Sequence, residues 1–277
     1  MNRIFSPHLY EYTLRGRIKG LLIWFFSASC TLAFLVLIFN LLMESGVPSF
    51  VSEMMTALPK DLTQNFYIDA LPDFSNYKVN LGICLQAVMA VGSIYACYLG
   101  ISSVIRSKKD GTLVFGYSQG LSKPCIIITY YISCATVLLL FNMGLFCLSM
   151  WIGLSNHVQE LLDIILKSFL TMFVAELVFL AAGMFISSFM NDISACASFS
   201  FGLFLITFIL GTLANYMSVF SFLKVFSPYH YFSPYMFSAV GVRLSSAMLV
   251  LSFAEIILFT ALTCLRVHKS DLTQQQN

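Results

Sequence analysis

Six stretches of this 277-residue chain run for more than 20 residues almost without charge: roughly 20–43, 81–105, 125–152, 168–190, 195–216 and 245–265. About 20 apolar residues in a helix cross the hydrocarbon layer of a bilayer. Only 10% of the residues are charged and 58% are hydrophobic, against about 25% and 45–50% in soluble domains, so a water-soluble globule is excluded. The seven prolines (7, 48, 59, 72, 124, 228 and 234) fall outside or at the edges of the six runs, where uninterrupted helices put them. Unpaired backbone groups are too costly in hydrocarbon for any other open-ended structure. The expectation is an all-α membrane protein with six transmembrane helices, residues 1–277 forming one transmembrane domain. The first run follows Arg15, Arg17 and Lys19 as a secretory leader would, but its 24 residues and missing small-x-small site mark a retained span.

The distribution of Lys and Arg sets the orientation. Residues 1–19, 106–124 and the tail carry ten (Arg3, Arg15, Arg17, Lys19, Arg106, Lys108, Lys109, Lys123, Arg266, Lys269), and the opposite side carries five (Lys60, Lys78, Lys167, Lys224, Arg243). Both termini and the 106–124 loop are therefore expected in the cytoplasm. The weakest join is the uncharged-by-Lys/Arg turn 191–194: if it lay inside one broken element, the tail would move outside.

Residues 7–19 read as an amphipathic helix in the inner membrane interface, with Tyr10, Leu14 and Ile18 on one face and Glu11 and Arg15 paired on another. A plain extension of the first span is the alternative. The external loop 44–78 is acidic and broken by Pro48, Pro59 and Pro72; it connects spans, caps a pathway or binds a partner.

Little in the chain points to covalent chemistry. A Gly-x-x-x-x-Gly-Lys-Ser/Thr phosphate loop is absent, and the four histidines (8, 157, 230, 268) are scattered without metal-ligand spacing. A net charge of +2 makes no case for nucleic acid. The eight cysteines lie in or beside apolar runs with no Cys-x-x-Cys and read as small buried hydrophobes. Two carboxylates, Glu176 and Glu255, fall inside spans. An ionisable group there costs about 2.5–3.5 kcal/mol on insertion scales and is a functional candidate by default. With no Lys or Arg at matching depth, they are protonated, paired with Ser, Thr or Tyr hydroxyls, or facing a wet cavity. Gly92, Ala96 and Gly100 make a small-residue face at i, i+4, i+8 that suits close packing within one subunit or across a dimer. Phe226-Ser-Pro228-Tyr229-His230-Tyr-Phe-Ser-Pro234, within 217–243, suits either an external aromatic-belt segment or a re-entrant hairpin.

The segment Arg106-Ser-Lys-Lys109-Asp110-Gly111-Thr112-Leu113-Val-Phe115-Gly-Tyr117-Ser-Gln-Gly-Leu-Ser-Lys123-Pro124 is basic, rich in turn residues and wedged between two spans. Its acidic-Gly-Thr-Leu core followed by Leu-Ser-Lys resembles the coupling segment of ABC-type permeases of the exporter type-2 family. Residues 9–24 are similar to that family's amphipathic N-terminal helix, Leu223-Lys-Val-Phe-Ser-Pro-Tyr-His-Tyr-Phe232 to the stretch before its last span, and Leu265-Arg-Val-His-Lys-Ser-Asp-Leu272 to its basic ending. The chain departs from the pattern where Lys108, Lys109 and Val114 replace further acidic residues, where Gly116 and Gly120 loosen the coupling helix, and where Lys123 stands for Arg. The resemblance implies two permease subunits, as homodimer or heterodimer, each resting on a separate ATP-binding subunit (two copies in all). No cofactor is expected in this chain; ATP and Mg are expected on that partner. It further implies a bacterial cell membrane and export of a hydrophobic or amphipathic cargo such as a peptide, antibiotic or lipid-like molecule. Leu113, Phe115 and Tyr117 offer an apolar knob for the ATPase, with Lys108, Lys109 and Lys123 facing acids or anionic lipid. The competing readings are a non-transporting sensor or immunity protein and a proton-coupled carrier built on Glu176 and Glu255.

Overall fold

A computed structural model describes residues 5–46, 76–155, 161–190, 192–216, 218–239 and 245–269. Every regular element among them is helical: α1 Pro7–Arg15, α2 Ile18–Glu44, α3 Tyr77–Lys109, α4 Thr112–Ser118, α5 Lys123–Ser155, α6 Leu161–Ser187, α7 Cys196–Tyr216, a 3-10 turn Ser218–Phe226, α8 Pro228–Tyr231, α9 Pro234–Ala239 and α10 Ser246–Lys269. Six of them, α2, α3, α5, α6, α7 and α10, are long and apolar enough to cross a membrane. The expected runs are thus present, several extended by a turn or two of polar residues that a helix carries past the hydrocarbon. In α6 the extension begins at Leu161 and holds an i,i+4 pair of Asp163 with Lys167. The external loop expected at 44–78 lies mostly outside the described residues.

The helices alternate in direction. Arg17 reaches the Leu99 carbonyl, Trp24 stacks on Tyr95 and Asn80 meets Met43, so α2 and α3 run antiparallel. Asn142 meets Glu176 and Phe146 meets Phe169, so α5 and α6 also run antiparallel. Gly92 packs on Glu176 and Gly100 on Leu180 and Met184, which makes α3 and α6 parallel. Phe179 and Phe204, 6.2 Å apart, sit at equal distances from the turn between α6 and α7, so that turn is a true hairpin. Spans four and five are therefore separate elements. Leu9 of α1, Val104 of α3, Ile126 and Ile127 of α5, Met184 of α6 and Val267 of α10 share one apolar cluster. The first and last helices accordingly begin and end at the same end of the bundle.

The core is built on α3 and α6, whose contact is the most extensive between helices among the described residues. Gly92, Ala96 and Gly100 line it, all buried. A Cβ on Gly100 would collide with the Leu180 carbonyl, and one on Gly183 would lie 2.6 Å from the Cys97 carbonyl. Small residues on both helices let the backbones touch, which in lipid is worth more than added apolar area. The small face thus packs inside one subunit. All eight cysteines are free thiols; five are buried, while Cys30 and Cys147 are exposed rather than buried as expected. The reason is geometric: an apolar helix in a membrane has two apolar faces, and these two cysteines occupy the outer one.

Candidate functional site

The amphipathic segment at the N-terminus stops at Arg15, not at residue 19. The chain breaks at Gly16 and Arg17, and Ile18 already belongs to α2, half exposed. Pro7 starts α1, as its fixed φ favours. Hydrogen bonds tie the helix across α5: Ser6 N–H donates to Thr129 (3.2 Å), the Tyr10 hydroxyl to Thr136 (3.1 Å) and the Thr13 hydroxyl to Ser133 (2.8 Å). Its inner face is therefore Leu9, Tyr10, Thr13 and Leu14. The Glu11–Arg15 pair is present and exposed.

The predicted coupling segment folds as the short helix α4, set between two glycines in the left-handed region, Gly111 (φ 66°) and Gly120 (φ 78°). Other residues pay a steric cost there, which explains both positions. Asp110 closes α3 and precedes α4, without capping it by a side-chain hydrogen bond. Thr112 opens α4. Leu113 is 1% exposed and Gly116 buried, so the knob expected from Leu113, Phe115 and Tyr117 is corrected: the outward residues are Val114, Phe115 (65% exposed) and Tyr117. Alternate residues share a face in a strand, whereas a helix groups 113 with 116. Gly116 has a packing role as well: a Cβ there would press on Ile126 Cδ1 at 3.1 Å.

The lysines of this segment are partly spoken for. Lys108 Nζ donates to the carbonyls of Ser188 (3.4 Å) and Met190 (3.3 Å), fastening the end of α3 to the turn after α6. Lys109 lies 3.7 Å from Asp192, with both side chains at least half exposed; such a surface pair contributes little. Hydrogen bonds from Ser194, aided by Lys109, hold the Asp192 carboxyl below its ordinary value. Lys123 lies over the Tyr117 ring at 5.9 Å.

The two intramembrane carboxylates have different surroundings. Glu176 is fully buried: one oxygen accepts from the Asn142 amide, while Oε1 has no partner and faces Gly92. Asn142 also donates to the Leu138 carbonyl at 2.9 Å. Glu255 is half-buried and accepts from the Tyr231 hydroxyl (3.3 Å) near Ser252. The two are not brought together.

At the other end, Pro228 and Pro234 each start a short helix, and the loop between spans five and six folds back against the bundle. Its anchor is Gln86 of α3. Tyr229 donates to the Gln86 carbonyl (3.2 Å), the Gln86 amide to the Tyr229 carbonyl (3.4 Å), and Ser233 to the Gln86 side-chain oxygen (2.7 Å). Gln86 is the tenth residue of α3, so α8 and α9 pack against the flank of that helix. His230 bonds Ser227 (2.8 Å) and Thr212 (3.3 Å), and burial pushes it down to about 4.

Gln86, Asn142 and Gly183 escaped the sequence reading. A lone amide in an apolar run is a usable signal for the first two, and Ala-Ala-Gly at 181–183 for the third; their partners are not readable from the chain. Among the described residues, no three His, Cys, Asp or Glu gather as a metal site would need. The chain matches no family model and no curated protein.

Proposed function

We propose that this chain is the permease subunit of an ATP-driven exporter of the ABC type-2 family, working as a pair on two copies of a separate ATPase subunit that holds ATP and Mg. The observation that carries the reading is α4: a seven-residue helix at the tip of α3 that turns Val114, Phe115 and Tyr117 outward. An exposed aromatic on a rigid mount suits a partner's groove. The ordered motifs along the chain and the six spans support the same reading.

In this reading the end of the bundle that bears α4 is cytoplasmic. Motion of the ATPase reaches α4, and Leu113 and Gly116 root that helix on the bundle. Lys108 ties the end of α3 to the end of α6, so a displaced α4 carries α3 and α6 as one body. The cargo is hydrophobic or amphipathic, and the membrane is the bacterial cell membrane. Affinity purification of the tagged chain in mild detergent tests the reading. A stoichiometric ATP-binding subunit is expected with the wild type and lost, by about tenfold or more, with Phe115→Asp at unchanged yield. Preparations without such a subunit in several detergents overturn it.

The unpartnered, buried oxygen of Glu176 favours one other reading, a proton-coupled carrier. Glu176→Gln separates the two: a carrier loses transport and follows the proton gradient, whereas the exporter keeps ATP-dependent transport.

A further inference from the structure

Where α1 breaks into α2, two neighbouring clefts that share lining residues open beside the end of α3. One, of about 510 Å³, is bordered by Arg17, Arg106, Asp110, Thr112 and Tyr130 among others. The second, of about 270 Å³, shares Arg17 and Arg106 and continues past Trp24 and Tyr95 to Ile23. Two guanidinium groups from different helices thus border the same space. Neither forms an ion pair with a described residue: Arg17 has only a 3.5 Å contact to the Leu99 carbonyl, whereas Arg15 is taken by Glu11. Among the described residues Asp110 is the one carboxylate bordering these clefts, and it forms no ion pair with either arginine. A topological preference for positive charge on one side asks for basic residues near a span; it does not ask that two converge.

The hydroxyls carry the argument further. Tyr130 is 2% exposed and borders the first cleft; Tyr95 is fully buried and borders the second. The Tyr95 hydroxyl has no hydrogen-bond partner, and that of Tyr130 makes no hydrogen bond of ordinary length, with the Ser107 side chain as its neighbour. The nearby Ser102, Ser103 and Ser107 spend their protons on carbonyls of their own helix, so the guanidinium and tyrosine groups are the donors left for an incoming acceptor. Arg17 lies within electrostatic reach of both tyrosines. Buried hydroxyl donors beside two guanidinium groups that have no ion-pair partner among the described residues together lack one thing, an anionic oxygen acceptor.

We propose that this cleft binds the phosphate group of an anionic amphiphile, with a phospholipid headgroup as its source. Guanidinium forks match phosphate oxygens in geometry and charge, and the tyrosine hydroxyls supply further donors. The break between an interfacial helix and a spanning helix lies at headgroup depth. Below it Trp24 and the outward-facing Ile23, 69% exposed, offer a wall for an acyl chain. Asp110 and Thr112 belong to the approach to α4, so an occupied cleft also bridges α1 to α4. This inference stands apart from the exporter reading and needs only the cleft.

The test is native mass spectrometry of delipidated full-length protein offered dioleoylphosphatidylglycerol, dioleoylphosphatidylcholine or inorganic phosphate. Phosphatidylglycerol is expected to be retained about tenfold more than phosphatidylcholine. Arg17→Gln with Arg106→Gln brings it down to the phosphatidylcholine level, and Tyr130→Phe reduces it about threefold. Competition by millimolar inorganic phosphate supports the phosphate site and assigns it to a soluble phosphate compound; no competition assigns it to lipid. Equal retention of the two lipids by the wild type, or wild-type retention in the double variant, overturns the proposal. Should the double variant not purify, Arg106→Gln alone replaces an exposed side chain at the end of α3, and undiminished retention there overturns it equally.

Discussion

Helices α2 and α3 differ in an instructive way. The apolar stretch of α2 is the more hydropathic of the two, yet 11% of it is buried inside the molecule, against 78% for α3. In water the order would be reversed, because apolar surface drives burial. In a bilayer the lipid is as apolar as leucine, so a helix with nothing but apolar side chains gains little by leaving it. What draws α3 to the centre is its small and polar content: Gly92, Ala96 and Gly100 for close backbone contact, and Gln86 for holding the hairpin. Hydropathy marks the spans, and departures from hydropathy mark the core.

The sharpest way to break this contrast is Gly100→Leu. Its side chain has to push α3 away from the backbone of α6, at a cost of about 3 kcal/mol. Unfolding in detergent, followed by dye labelling of the buried Cys97 and Cys134, is expected to shift accordingly; an unchanged profile means that the two backbones do not touch. Next comes Asn142→Ala, which leaves the Glu176 carboxyl without its donor and is expected to cost about 1–2 kcal/mol in the same assay. Glu176→Gln keeps an acceptor at that place and costs less.

The hairpin supplies a milder test through pH. His230 is neutral in the fold, lowered to about 4 from an ordinary 6.5 by burial among Ser227, Thr212, Phe208 and Tyr229. Between those two values the opened state binds a proton that the closed state does not. The hairpin is therefore fully stable above about 6.5 and loosens as pH falls from there toward 4. Hydrogen exchange over 228–239 is expected to speed up across that window in the wild type and to stay flat in His230→Gln. The smallest effect belongs to the outer face of α2: Phe26→Leu and Phe34→Leu, at 71% and 63% exposed, are expected to change stability by no more than about 0.5 kcal/mol. A larger loss at either position means that α2 has a protein neighbour in the membrane.

The residue pattern by itself determined the helical class, the six spans and the short segment between turns at 106–124. Those follow from rules that act along one chain: hydrocarbon thickness, backbone satisfaction and the demands of proline and glycine. It also singled out Glu176, Glu255 and the small face of α3, since each departs from an apolar background. Only the tertiary structure decided what those residues meet. The small face turned to α6 because Gly183 happened to present a matching gap, and Glu176 found an amide from α5 rather than a hydroxyl. Leu113 turned inward because α4 is a helix rooted on Ile126, and Arg17 and Arg106, 89 positions apart in the chain, came to border one cleft. Such pairings depend on helix rotation and crossing, which packing among all the helices sets at once and no local stretch of sequence encodes.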